Sequence, residues 1–197
     1  MSKTNLEKTN LEKTNLETGN NIENQKQELI AALKACGAVR YGNFTLASGK
    51  KSKYYIDIKK ASTDPKTLKL IARQAAFRIK QMDVNIIAGV ELGGVPLATA
   101  VSMETELPLL IVRKAIKDYG TKSRFVGDIR PEDRLVMLED VTTSGGSVRN
   151  AIEVVRETGA SVKYVISVVD REEGAIENLK EVGTELVPLV SASDLLK

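Results

Sequence analysis

Apolar and polar positions follow two rhythms along this chain, and the change from one to the other marks its organisation. Through residues 22–35, Ile22, Leu29, Ile30 and Leu33 recur at helical spacing before Gly37, so an amphipathic helix is expected there. Further on, Tyr54, Ile56 and Ile58 alternate with Tyr55, Asp57 and Lys59. That is the period of a strand with one buried face, and with residues 42–49 it predicts two short strands around a turn. Asp64-Pro65 reads as an N-cap followed by proline at the first helical position, and Leu68, Ile71, Ala72, Ala75, Ala76 and Ile79 carry a helical stripe to about Met82.

From residue 84 onward short apolar runs alternate with helical stretches. Strands are predicted at 84–88, 109–112, 135–138 and 162–169, with helices at 97–103 and 145–158, the second stopped by Gly159. A last helix near 173–181 and an extended run at 184–190 complete the pattern. Strands separated by helices imply an α/β fold: a central parallel sheet flanked by helices, with ligands bound beyond the carboxyl ends of the strands. Residues 21–197 are therefore read as a single domain, with a small hood mainly from residues 21–62 and a contribution from the C-terminal segment. Residues 3–17 are three copies of Lys-Thr-Asn-Leu-Glu, and one Leu per five residues builds neither a helix face nor a strand face. Residues 1–20 are expected to be a disordered low-complexity tail.

Composition narrows the chemistry. A formal net charge of +3 over 197 residues gives no argument for nucleic acid. Apolar runs such as 107–112 fall far short of the ~20 residues of a membrane span, so neither nucleic acid nor membrane is an expected partner. Cys36 is the sole cysteine, which makes a reducing cytoplasm the simplest setting. Histidine is absent, and that excludes Ser-His-Asp and Cys-His catalysis and histidine metal sites.

The run Leu135-Val136-Met137-Leu138-Glu139-Asp140-Val141-Thr142-Thr143-Ser144-Gly145-Gly146-Ser147 concentrates the candidate chemistry. Gly145 and Gly146 allow a tight turn of successive N–H groups at a helix N-terminus, while Thr142, Thr143, Ser144 and Ser147 add hydroxyls, a setting that suits a phosphate monoester. No Lys follows Gly146, so the nucleotide-triphosphatase loop is disfavoured. Two carboxylates would repel the phosphate, so Glu139 and Asp140 are expected to meet a sugar diol or a magnesium ion.

Two further stretches lie at strand ends. After residue 112 come Arg113, Lys114, Lys117, Tyr119, Lys122 and Arg124 with two glycines, a segment too charged for a core. It reads as a lid whose Arg113, Lys114 and Lys117 each make charge-assisted bonds of roughly 1.5–3 kcal/mol to a pyrophosphate. A solvated charged loop, or an RNA-binding loop stacking bases on Tyr119 and Phe125, are the other readings. After residue 169 comes Asp170-Arg171-Glu172-Glu173-Gly174, where Glu172 and Glu173 can cap a helix and Arg171 is free to hold a planar carboxylate bidentately.

The 135–147 run resembles the ribose-phosphate signature of the type I phosphoribosyltransferases. The loop from Arg113, the Asp170-Arg171 stretch and the Phe44-Thr45-Leu46 to Asp57 segment are similar to the orotate phosphoribosyltransferases within that family. The resemblance spans about residues 22–197. It implies the type I phosphoribosyltransferase fold and transfer of ribose 5-phosphate from phosphoribosyl pyrophosphate (PRPP) to orotate in pyrimidine synthesis. By that resemblance, Lys117, Asp140 and Arg113 are catalytic, and PRPP is bound by Arg113, Lys114, Lys117 and the residues Glu139, Asp140, Val141, Thr142, Thr143, Ser144, Gly145, Gly146 and Ser147. Orotate is bound by Thr143 and Arg171. Mg2+ is held mainly through the substrate, with backbone N–H groups of residues 91–96 at the pyrophosphate, and a homodimer shares its active site between subunits. Three positions depart from the pattern: Ala47 and Gly93 stand where members have lysines, and Tyr119 where many have histidine. A phosphoribosyltransferase for another base, or a non-catalytic PRPP-sensing regulator that binds nucleic acid, remain as alternatives.

Overall fold

The structure is a computed structural model that describes residues 3–45, 51–114 and 123–197. Helix α1 (Lys3–Ala35) is followed by strands β1 (Val39–Thr45) and β2 (Lys51–Ile56), which pair antiparallel as a separate two-stranded sheet. Short helix α2 (Ile58–Thr63) and helix α3 (Pro65–Ile79) lead into β3 (Ile86–Val90), α4 (Gly94–Thr105), β4 (Leu109–Val112), β5 (Phe125–Val126), β6 (Arg134–Thr142), α5 (Gly146–Arg156), β7 (Ser161–Asp170), α6 (Ala175–Lys180), β8 (Glu185–Ser191) and α7 (Ala192–Leu195). The main sheet has the order β5-β4-β3-β6-β7-β8. All its pairings are parallel except that of β5, which returns antiparallel on the outer edge of β4.

Strand alternation divides the core in two. On β6, Val136 and Leu138 face the cluster containing Leu29, Leu33, Ile71, Leu97 and Val101 from α1, α3 and α4. Leu135 and Met137 face the cluster containing Val148, Ile152, Val155 and Leu179 from α5 and α6. Helices thus cover both faces of the sheet, as the βα rhythm predicts. The Asp64-Pro65 start is as expected, with the Asp64 carboxylate accepting from the Thr67 N–H at 2.8 Å and the Thr67 hydroxyl at 2.6 Å.

The repeat requires a correction. Its backbone is helical from Lys3, in one helix with residues 22–35, where a disordered tail is expected. Lys, Leu and Glu are good helix formers, and a helix already nucleated by its packed carboxyl half extends backwards at little cost even without an apolar face. Ile58 is also corrected: it opens α2 and does not continue the strand, because Asp57 turns the chain and Ile58 and Ala61 then bury on the helical side. The hood closes around the C-terminus. The Tyr41 hydroxyl on β1 donates to the Leu195 carbonyl at 3.0 Å, and Lys26 Nζ lies 2.7 Å from Asp194 Oδ2.

Candidate active site

Strand β6 runs four residues beyond the apolar stretch, so the two acids sit on the strand itself and inherit its alternation. Asp140 continues the face of Val136 and Leu138, and it meets Gly93 at the start of α4 and Lys59 on α2. Lys59 Nζ is 3.6 Å from Asp140 Oδ2, and a β-carbon at Gly93 would collide with that carboxylate. Glu139 continues the other face and lines a small cavity of about 90 Å³ with Thr143, Ser144, Gly145, Gly146 and Ser147. Gly145, at φ 77°, makes the left-handed turn that opens α5, with the N-terminus of that helix facing the cavity.

Both acids are buried, and Glu139 Oε2 has no hydrogen-bond partner. Burial, followed by the adjoining Asp140 carboxyl, pushes the Glu139 pKa up to about 8 against a smaller opposing pull from Lys114. A carboxyl left without a partner in a polar cavity is a site for a donor from outside, and a sugar hydroxyl supplies one.

The neighbouring strands contribute the rest. The Arg171 N–H donates to the Thr142 carbonyl at 2.9 Å, which sets the end of β7 beside the turn, and Arg171 Nε lies 2.9 Å from Glu173 Oε1 without pointing its hydrogen at it. Beyond β4, Arg113 and Lys114 share a cavity of about 330 Å³ with Ser147, Asn150 and Arg124. The Lys114 N–H donates to Glu91 Oε2 at 3.3 Å, which joins the start of that segment to the turn before α4. Lys117 and Tyr119, like Ala47, fall outside the described residues.

Thr142 has a second role. Its side chain is buried and its hydroxyl donates to Asp170 Oδ1 at 2.9 Å, so it braces β6 against β7 while the residue also lines the cavity. Because β6 extends past residue 138, Thr142 belongs to the ladder and not to the turn. Sequence reasoning missed three supports. Arg124 donates through Nη2 to the carbonyls of Arg113 and Lys114, both at 3.2 Å, and fastens the base of that segment. Asn178 Nδ2 donates to the Ser144 carbonyl at 2.8 Å and steadies the turn. Lys59 reads in the sequence only as a polar strand position, and no local signal points it at an acid so distant along the chain.

Among the described residues, no group of three or more acids or Cys is arranged to hold a metal ion, and no helix is long and apolar enough to cross a membrane. A larger cavity of about 510 Å³ lies between the amino ends of β7 and β8, lined by Lys163, Tyr164, Ile176 and Leu186 among others. It is at the opposite end of the sheet from the acids, whereas ligands of open parallel sheets bind at the carboxyl ends.

A parallel sheet whose β6 ends in two acids and a phosphate-sized turn, with cations on both neighbouring segments, defines a phosphoribosyltransferase. The phosphoribosyl transferase domain family matches residues 59–186. The orotate phosphoribosyltransferase of Methanosarcina mazei is 86% identical over 197 residues, covering 100% of both chains. The crystal structure of orotate phosphoribosyltransferase from Aeropyrum pernix matches with a TM-score of 0.76 at 34% identity, over 85% of this chain and 96% of that one. The Mycobacterium tuberculosis enzyme in complex with PRPP matches with a TM-score of 0.74 at 28% identity, over 88% and 99%. This chain belongs to the orotate phosphoribosyltransferase family.

Proposed function

We propose that the protein transfers ribose 5-phosphate from PRPP to orotate, releasing pyrophosphate and forming orotidine 5-phosphate for pyrimidine synthesis. The observation that supports this most strongly is the end of β6, where one strand presents Glu139 to a phosphate-sized turn and Asp140 to the turn before α4. A 5-phosphate in the first turn places the ribose hydroxyls over the acids and the pyrophosphate toward residues 91–96. Arg171, one strand away, then stands on the side where a carboxylate-bearing base approaches.

Breaking the bond at the anomeric carbon leaves a cationic sugar and a highly charged leaving group, so the protein's task is mainly electrostatic. Glu139 and Asp140 hold the ribose hydroxyls, and the Asp140 carboxylate stabilises the developing positive charge. Residues 143–147 fix the phosphate. Arg113 and Lys114, with Lys117 from the resemblance, neutralise the departing pyrophosphate, and Thr143 with Arg171 orients orotate. Mg2+ fits this site as a substrate-borne ion: the Asp140 carboxylate is one hard oxygen donor, and among the described residues no group of three acids is arranged to hold the ion by itself. Bound with PRPP, it supplies charge neutralisation of the pyrophosphate.

A homodimer with a shared site is part of the proposal. The cytoplasm is the proposed location, consistent with one free cysteine. The test is an acceptor competition with orotate, uracil and hypoxanthine, with and without Mg2+. Consumption of orotate alone, and only with Mg2+, is expected; preference for another base overturns the acceptor assignment.

A further inference from the structure

We propose that Lys59 is a further PRPP-binding residue, placed by the hood to meet the pyrophosphate end of the substrate beside Asp140. The inference rests on the phosphoribosyl-transfer reading and deepens it. Lys59 is the second residue of α2, and its Nζ lies 3.6 Å from Asp140 Oδ2. The backbone of Gly93 closes on the same carboxylate from the other side. The buried Asp140 carboxylate faces this corner, and the turn 91–96 contains no cation. A pyrophosphate entering there approaches that charge, and Lys59, beside Asp140, offsets it.

The geometry suits a ligand better than a staple. Lys59's side chain is 68% exposed while that of Asp140 is 13% exposed, and an ion pair with one partner mostly in water stabilises a fold little. Helix α2 is already anchored by Ile58 and Ala61 in the core. Lys60, its neighbour, carries its ammonium toward Gly37 and away from the acids. A compact ammonium on a flexible stem can stay beside Asp140 and turn its N–H donors to an incoming oxyanion.

The test compares wild type with Lys59→Ala and Lys59→Arg by calorimetric titration of Mg2+-PRPP without acceptor, alongside steady-state kinetics and melting. Losing one charge-assisted contact predicts PRPP affinity weaker by about ten- to a hundredfold in Lys59→Ala. Arginine should restore most of it, with KM for orotate and the melting temperature little changed. PRPP affinity of Lys59→Ala within about twofold of wild type overturns the proposal. So does a loss accompanied by a lower melting temperature that arginine does not restore, which marks a structural role. Wild type that fails to bind PRPP overturns the phosphoribosyl reading and this inference together. Wild type that binds PRPP but ignores orotate overturns the acceptor assignment alone, and the Lys59 comparison still decides.

Discussion

Glu139 and Asp140 are adjacent and chemically alike, yet strand alternation gives them separate surroundings. Glu139 is the acid whose ionisation the fold resists, with its pKa raised to about 8. A raised carboxyl pKa means that the native state binds more protons than the unfolded one between the ordinary glutamate range and about 8, so its contribution to stability falls as pH rises through that window. Each pH unit between the ordinary and the raised pKa corresponds to about 1.4 kcal/mol, so the cost of ionisation reaches a few kcal/mol near pH 8. Glu139→Gln should therefore melt higher than wild type at pH 8, with a flatter dependence on pH, while kcat/KM for PRPP falls. Equal pH slopes for the two proteins would remove the claim that Glu139 is held protonated. Arg171→Ala should weaken orotate binding by roughly 2–5 kcal/mol if the pair is desolvated. An equal loss with uracil as acceptor would argue against a carboxylate contact.

Legibility in the sequence differs from element to element for physical reasons. Strands β3, β4, β6 and β7 and the helices between them are readable because buried parallel strands are unbroken apolar runs punctuated by capping residues, whereas the two-residue, antiparallel β5 falls in the stretch read as a charged loop. Residues 139–142 read as a loop because their polarity hides a strand; the ladder to β7 pairs Val141 with Val169 and Thr142 with Asp170. Helices α2 and α7 escape a sequence reading because six and four residues are too few to show a period. The turn, the acids and Arg171 are legible as local chemistry, whereas Lys59, Arg124 and Asn178 act across the fold and leave no local trace. Helix α1 sets the next prediction. The repeat in its amino half builds no apolar face to bury, so deleting residues 1–20 should leave turnover and melting temperature nearly unchanged. A melting drop of several degrees would show that this half packs.

The whole assembly brings hood and sheet into one site, with α7 as the connection. The Asp194 carboxyl is pushed up by burial, but hydrogen bonds from Lys26 and from the Ser191 N–H and hydroxyl outweigh that and hold its pKa at about 2. Ser193, in the same turn, donates to Glu172 from its N–H at 2.9 Å and its hydroxyl at 3.0 Å, next to Arg171. If each lid serves the partner's site, inactive Lys117→Ala and inactive Arg171→Ala proteins, once exchanged, form mixed dimers in which one site has both residues intact. Random pairing makes half the dimers mixed with one working site each, so about a quarter of wild-type activity should return. Demonstrated exchange with no activity would place the lid in its own chain.

The central claim is that the end of β6 is where PRPP reacts with orotate. Phosphorus NMR of PRPP, orotate and Mg2+ follows both products at once. For wild type it should show orotidine 5-phosphate and pyrophosphate growing in equal amounts; a folded Glu139→Gln, Asp140→Asn double variant should be slower by at least about a hundredfold, the loss of two transition-state contacts. Undiminished conversion by the double variant, or pyrophosphate formed without orotidine 5-phosphate, would contradict the account.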